Sequence, residues 1–301
     1  MMMVSVPGNL LLIGEYAITL VGAVAVAAAV EPRVRARATR GTGGISGTMG
    51  SACYTAAPGS LLGAVVAECG AAAGWQVEVD STAFSGARGK LGMGSSAAVA
   101  VAVTALLLRL QGNASPATRD VITAATRAHR VWQSGCGSGY DVATSALGGI
   151  VGLSRNGELT AAQVAMPAPE LALIHGEAAL STPVALDAFV TWQTQHPLQA
   201  SQFLRRSRTL ANRFLHGDAA QRFRVVAQSA PLVRRLGDKI GITVEPEALR
   251  RGLDRVRRLG WAAKAAGAGG ELGLAVPPPG GASDGHVERV QVASEGLRWE
   301  P

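Results

Sequence analysis

The chain of 301 residues has few aromatic side chains, 4% in all, and little charge, 16%. Only three of its residues are lysines (Lys90, Lys239 and Lys264), so arginine supplies almost all of the positive side of a +7 balance. The arginines cluster as Arg33/Arg35/Arg37/Arg40, Arg205/Arg206/Arg208 and Arg255/Arg257/Arg258. No interleaved aromatics or nucleic-acid module accompany them, so most read as solvated faces, with a phosphate-binding fork from Arg205/Arg206/Arg208 as the alternative, and no nucleic-acid partner is expected. The three cysteines, Cys53, Cys69 and Cys136, are odd in number, scattered and without a CxxC pair. That excludes a disulfide framework and fits a reduced, cytoplasmic setting. No long apolar run is present: Val21–Val30 is about half of what spans a bilayer. The opening MMMVSVPGNL lacks a charged leader, and Pro7, Gly8 and Glu15 interrupt it, so neither export nor a membrane is expected. The five histidines (His129, His175, His196, His216 and His286) show no HxH or HExxH spacing, and a zinc site is not expected.

Hydrophobic residues make up 48% of the chain, which excludes a solvated, disordered polymer. The length allows one large domain or two of ordinary size. Glycine is abundant, with 38 residues, and pairs with alanine to allow close backbone approach. An arginine-rich positive balance suits a small anionic substrate, although a general preference for arginine over lysine would produce the same ratio.

Periodicity predicts strands at Val4–Val6 and Leu10–Ile13 around a Pro7-Gly8-Asn9 break, and at Val24–Val30 and Val34–Ala38 around Glu31-Pro32. Gly41–Gly50 reads as a loop or hairpin, Leu61–Cys69 as a helix closed by Gly70, and Trp75–Asp80 as a strand. Helices are expected at Ser95–Leu110, from the Asn113–Pro116 start to Trp132, and over Asp141–Ala146, followed by a strand at Gly148–Leu153. Pro167–Pro169 marks the expected boundary between domains 1–167 and 168–301. Beyond it come a strand at Leu171–His175, helices near 184–195, 199–215, 219–240 and Pro246–Leu259, a Pro277–Gly281 turn and a strand at Val287–Val292.

Three glycine-rich loops carry the chemistry. Gly89-Lys90-Leu91-Gly92-Met93-Gly94-Ser95-Ser96-Ala97-Ala98 runs into a helix, where glycines admit an anion to backbone amides and the helix start adds unpaired N–H groups. It is neither a Walker A loop nor a nucleophile elbow, and a plain serine N-cap is the structural alternative. Gly137-Ser138-Gly139-Tyr140-Asp141 sets a carboxylate at a helix start, fit to meet a hydroxyl or a metal, or simply to cap. Lys264-Ala265-Ala266-Gly267-Ala268-Gly269-Gly270-Glu271 reads as an anion-facing turn after a helix, or as a connector. Trp132 reads as a core residue. On a helix only one of His129 and Arg130 is expected to face the cleft.

Taken together, Pro7-Gly8-Asn9-Leu10…Gly14-Glu15-Tyr16, the GKLGMGSSAA loop and the GAGG stretch resemble, in order, the three motifs of the GHMP small-molecule kinases. The likeness spans residue 4 to about residue 276. The phosphomevalonate kinase branch is most similar: Ala128-His129-Arg130…Gln133…Gly137-Ser138-Gly139-Tyr140-Asp141-Val142-Ala143 looks like its AHR…Q…GSGFDVA. Lys90 and the Gly176-Glu177-Ala178-Ala179-Leu180-Ser181-Thr182 stretch look like its pattern too.

The resemblance implies an α+β fold of two domains. The N-terminal ATP-binding domain would contain a left-handed βαβ unit, and the substrate-side C-terminal domain would be ferredoxin-like. It implies ATP and Mg²⁺ as cofactors, with Gly92, Met93, Gly94, Ser95, Ser96 and Ala97 around the phosphates and Ser96 on the metal. Asp141 would be the catalytic carboxylate with Lys90 beside it. Asn9, Glu15, Arg130, Ser138, Gly139, Gly267, Ala268 and Gly269 would lie on the substrate side. The implied activity is phosphoryl transfer to a small anionic acceptor of the mevalonate pathway of isoprenoid biosynthesis, phosphomevalonate or mevalonate, by a cytoplasmic monomer or homodimer. Two departures stand out: the family carries Lys or Arg where Asn9 stands, and the third motif here has one glycine fewer, with Glu271-Leu272 after it.

Overall fold

The computed structural model describes residues 1–86, 89–176, 181–280 and 287–301. In chain order the strands β1 (Met2–Ile13), β2 (Ala23–Arg40), β3 (Gly44–Met49) and β4 (Ala52–Thr55) precede helix α1 (Leu61–Cys69) and β5 (Trp75–Asp80). A two-residue pairing of β6 (Ser85–Gly86) with β7 (Gly89–Lys90) leads to α2 (Ser95–Leu110), α3 (Thr118–Trp132) and α4 (Tyr140–Leu147). Next come β8 (Ile150–Asn156), β9 (Glu158–Gln163), β10 (Leu171–His175), α5 (Thr182–Gln195), α6 (Pro197–His216), α7 (Ala219–Ile240) and α8 (Glu247–Arg258). Strands β11 (Ala262–Ala265), β12 (Leu272–Val276), β13 (Glu288–Val290) and β14 (Arg298–Glu300) close the chain. The mixture is the α+β composition expected. Residues 177–180 of the Gly176–Thr182 stretch, together with Gly281 and His286, lie outside the described residues.

Contacts divide the chain into two units, residues 1–9, 29–149 and 293–301 in one, and 10–28 and 150–292 in the other. Strands β1 and β2 contribute residues to both units, and the C-terminal residues belong to the first.

In the first unit the sheet order is β14-β1-β2-β5-β3-β4, with β3 parallel to β5. Helix α2 is apolar on every side and buried from Ala97 to Leu107. Its alanines allow α1, α3 and α4 to pack closely around it. The break predicted at Pro7-Gly8-Asn9 is absent and β1 runs straight through. A Cβ on Gly8 would stand 2.5 Å from the Met93 carbonyl oxygen, so the glycine serves close approach, not a turn. The predicted break at Glu31-Pro32 is also absent. Ala23–Ala28 pair with β8 and Arg35–Arg40 with β5, so the proline falls between the two partners, where that edge needs no N–H from it.

Arg33, read from sequence as solvated, is 9% exposed and donates to Ser5 and to the Glu295 and Gly296 carbonyls. Helix α3 begins at Thr118, two residues after Pro116, with Ala117 extended (φ −64°, ψ 138°) as its N-cap. Trp132, expected in the core, is 38% exposed at the end of α3.

In the second unit, residues 23–28 of β2 continue antiparallel into β8 and β9, and β11-β12-β10-β13 form a four-stranded antiparallel sheet. Helix α8 buries Leu249, Leu253 and Val256 at helical spacing and leaves Arg250, Arg251, Arg255 and Arg258 in solvent. Lys264, expected in a turn, lies in β11, one of the strands that periodicity did not show. Among the described residues no helix is long and apolar enough to cross a membrane.

Candidate functional site

In the first unit the chain enters α2 through two glycines in the left-handed region, Gly92 (φ 71°) and Gly94 (φ 69°). Gly94 is the N-cap and no side chain caps the helix, so Ser95 and Ser96 fill its first two positions. The amides of Ser95, Ser96 and Ala97 have no acceptor within the helix, and the positive end of the helix dipole lies with them. The loop is tied to β1: the Asn9 amide donates to the Met93 carbonyl oxygen at 2.9 Å. The Asn9 side chain is 3% exposed and donates from Nδ2 to Ser145 Oγ at 3.0 Å. It stands where a Cβ on Gly94 would be, 2.1 Å away, so only glycine fits at position 94.

Helix α4 also starts on a left-handed glycine, Gly139 (φ 83°), without a side-chain cap from that residue. A Cβ on Gly139 would meet Thr126 of α3 at 2.9 Å. The turn before α4 is held by Arg130, which donates from Nε to the Gly137 carbonyl oxygen at 3.2 Å and from its terminal nitrogen to that of Ser138 at 3.1 Å. Ser138 is 7% exposed, and its Oγ accepts the Tyr140 amide at 3.3 Å. Asp141 Oδ1 accepts the Val142 amide at 2.9 Å, while its side chain stays about one-fifth exposed. His129 joins the two helix starts, with Nε2 3.1 Å from Ser96 Oγ and Nδ1 3.6 Å from Asp141 Oδ2. Both His129 and Arg130 are therefore engaged here, because the loop after α3 folds back around the helix end. Lys90, on β7, is exposed, and its ammonium has no partner among the described residues.

The second unit holds Glu15 and the third motif. Glu15 is 2% exposed and its carboxylate is bound by the Lys264 ammonium, 1% exposed. Burial pushes the Glu15 carboxyl above its ordinary range, against the pull of Lys264. Tyr16, in the left-handed region at φ 60°, donates its hydroxyl to the Ala268 carbonyl oxygen at 2.7 Å. Burial, then the nearby Glu15, raises its phenol well above the ordinary range. Gly267 (φ 62°) and Gly269 (φ 99°) are left-handed, and a Cβ on Gly269 would meet Val244 at 2.7 Å. The first and third motifs are thus joined by an ion pair and a hydrogen bond between residues about 250 positions apart. Arg205, Arg206 and Arg208 lie exposed on α6.

Mg²⁺ binds through one or two protein oxygens, with phosphate and water oxygens completing the shell. Ser96 Oγ and the open part of the Asp141 carboxylate are hard oxygen donors of this kind, so these residues fit such an ion. Among the described residues no group of three or more His, Cys, Asp or Glu side chains is placed to hold a metal.

Residues 60–149 match the family model of the GHMP kinases N terminal domain. The match covers about a third of the chain, and the chain has the fold seen in GHMP kinases. Similar solved structures share this fold over 92–99% of the chain. The Lin0012 protein from Listeria innocua is 17% identical over 99% of both chains, with a TM-score of 0.84. Streptococcus pneumoniae phosphomevalonate kinase, solved with phosphomevalonate and AMPPNP, is 20% identical over 92% of both, with a TM-score of 0.75. The L. major mevalonate kinase, solved with R-mevalonate, is 18% identical over 97% of this chain and 96% of that one, with a TM-score of 0.71. A search of curated proteins by sequence finds no match.

Proposed function

We propose that the protein is an ATP- and Mg²⁺-dependent small-molecule kinase, active in the cytoplasm, with phosphomevalonate as its acceptor. The observation that carries this reading is the join between two helix starts. The uncapped amides of α2, suited to phosphate, lie in the same unit as Asp141, and His129 reaches both Ser96 and Asp141. The acceptor rests on the Ala128–Ala143 similarity and on the phosphomevalonate bound to the Streptococcus pneumoniae neighbour. By function, residues 1–167 would serve ATP and 168–301 the acceptor.

In this reading the amides of Gly94 to Ala97 cradle the transferring phosphates, and Ser96 with Asp141 holds the cation. Mg²⁺ would neutralise charge on the β- and γ-phosphates. Such transfers ask the protein mainly for positioning and electrostatics. A phosphate-monoester acceptor, with a second pKa of about 6, needs little deprotonation near neutral pH. Asp141 then orients the acceptor and the metal more than it removes a proton. Arg130 is occupied with two carbonyls and Lys264 with Glu15, so of these three cations Lys90, which has no partner among the described residues, would be the one to meet the phosphates. In the first unit Asn9, Ser138 and Gly139, and in the second Glu15 and Gly267–Gly269, would each shape a substrate-side surface of their own unit through backbone conformation and packing.

Asn9 favours a second reading, a nucleotide-binding protein without transferase activity. A buried amide stands where the family carries a cation. ATP consumption measured with phosphomevalonate, mevalonate, homoserine and simple sugars separates the two. Phosphomevalonate should exceed mevalonate by at least about tenfold in kcat/KM, which needs only about 1.4 kcal/mol of added binding. A preference for mevalonate moves the protein to the mevalonate kinase branch. Tight ATP binding without any turnover establishes the non-catalytic reading.

A further inference from the structure

His129 is a buried imidazole, 2% exposed, that the motif reading gave no definite role. It sits in the last turn of α3 with the exposed Trp132 ring packed beside it, centroids 5.5 Å apart. Both of its nitrogens face chemistry. Nδ1 lies within ion-pair reach of Asp141 Oδ2, and Nε2 lies at hydrogen-bond distance from Ser96 Oγ. An ionised carboxylate only accepts hydrogen bonds, so the proton of a neutral His129 belongs on Nδ1. Nε2 is then an acceptor, and the Ser96 hydroxyl must donate to it. This fixes the hydroxyl hydrogen toward the protein and turns the Ser96 oxygen lone pairs outward, as a cation ligand requires. Asp141 is set at the same time: Oδ1 is taken by the Val142 amide and Oδ2 faces the imidazole.

We propose that His129 is a positioning residue that orients both the phosphate-loop serine and the acceptor-side aspartate, coupling the two halves of the transfer site through one ring. The proposal rests on the kinase reading above. It gives the adjacent pair a division of labour: Arg130 holds the turn from which Asp141 starts, and His129 holds the two oxygen donors. Groups that orient metal-binding residues in this way typically cost about 10–100-fold in metal affinity or activity when lost.

The test uses the whole protein and three variants, His129→Phe, His129→Gln and His129→Asn. A glutamine amide reaches the Nε2 position and retains the Ser96 contact, and an asparagine amide reaches Nδ1 and retains the Asp141 contact. Calorimetric titration with ADP, with and without Mg²⁺, should show the Mg²⁺-dependent gain in affinity reduced about 10–100-fold in His129→Phe and His129→Asn but kept in His129→Gln. In all three variants kcat should fall more than KM rises, because the aspartate or the serine loses its setting. In the unliganded protein, ¹⁵N spectra of the neutral ring should show the proton on Nδ1. A serine-directed fluorophosphonate should leave Ser96 unlabelled, since the hydroxyl is a ligand and not a nucleophile. A proton on Nε2, covalent labelling of Ser96, or wild-type Mg²⁺ dependence and kcat in a folded His129→Phe protein would each overturn the proposal. Thermal melts identify a variant that has failed to fold, and His129→Gln, which preserves a polar partner, then carries the test. Absence of phosphoryl transfer by the wild type defeats the kinase reading alone, because the spectra still decide the arrangement of Ser96, His129 and Asp141.

Discussion

Replacing Lys264 by methionine tests how the second unit is held together. The Lys264 and Glu15 side chains are each 1% exposed and bind each other. Methionine nearly preserves the volume and removes only the positive charge, which leaves a carboxylate in the core with no counter-charge. Breaking a buried pair from one side costs about 3–5 kcal/mol, far more than the net worth of the intact pair. At about 2–4 °C per kcal/mol for a unit of this size, the melting temperature should fall by roughly 6–20 °C.

The pH dependence has a definite sign. Burial already holds the Glu15 carboxyl above its ordinary value near 4.5, and Lys264 is the strongest group opposing that rise. Without Lys264 the folded-state pKa climbs further. A carboxyl whose folded pKa exceeds its unfolded one contributes stability below the unfolded value and loses it as pH rises through the folded value. The deficit of Lys264→Met should therefore be small near pH 4.5 and grow toward pH 8. Calorimetric melts of wild type, Lys264→Met and the double variant Glu15→Gln/Lys264→Met, each at pH 5 and pH 8, measure this directly. The double variant should recover most of the loss at pH 8, since two neutral groups then share the site. A Lys264→Met protein that melts with the wild type at pH 8, or a double variant no better than the single, would refute a desolvated, mutually dependent pair.

Other outcomes follow from the first unit. Ser96→Ala should lower kcat at least about a hundredfold, the scale of a lost transition-state contact, while the melting temperature stays near wild type because Gly94 and not Ser96 is the cap. Asp141→Asn should remove most of kcat in steady-state assays while ATP still binds, and retained activity would reduce Asp141 to a helix-start residue. Gly94→Ala should destabilise the protein by more than the roughly 1–2 kcal/mol of a left-handed alanine, because the new Cβ meets Asn9, and adding Asn9→Ala should return part of that in denaturant melts. Asn9→Lys should change kcat by less than about tenfold, or 1.4 kcal/mol, whereas a large gain from a nearly inactive parent would point to a degenerate site.

Local signals made several elements legible from the chain alone. Helices α1 and α2 and strands β5 and β10 occupy the predicted spans. Gly70, at φ 83°, ends α1, and the GMGSS run starts α2, because glycine conformational freedom and small-residue helical patterning act over a few residues. The order of the three glycine motifs likewise marks the fold. Proline and glycine misled where the reason for them was tertiary. Gly8 lies in a strand because Met93 and Phe84 press on it, and Pro32 is tolerated in β2 because two partner strands leave it unpaired on that edge.

Side-chain partners were beyond the reach of sequence. The GSS and GSGYD runs place a serine and an aspartate at two helix starts, but that one imidazole reaches both depends on how α2, α3 and α4 pack. Lys264 read as the start of an anion-facing turn, and only the fold brings Glu15 to it from 249 residues away and buries both. Spacing along the chain determines turns, caps and periodic faces, because those depend on neighbours a few bonds away. Which charges are desolvated, and which nitrogen of a histidine faces which oxygen, depends on contacts between residues distant in sequence, and the tertiary structure alone decides these.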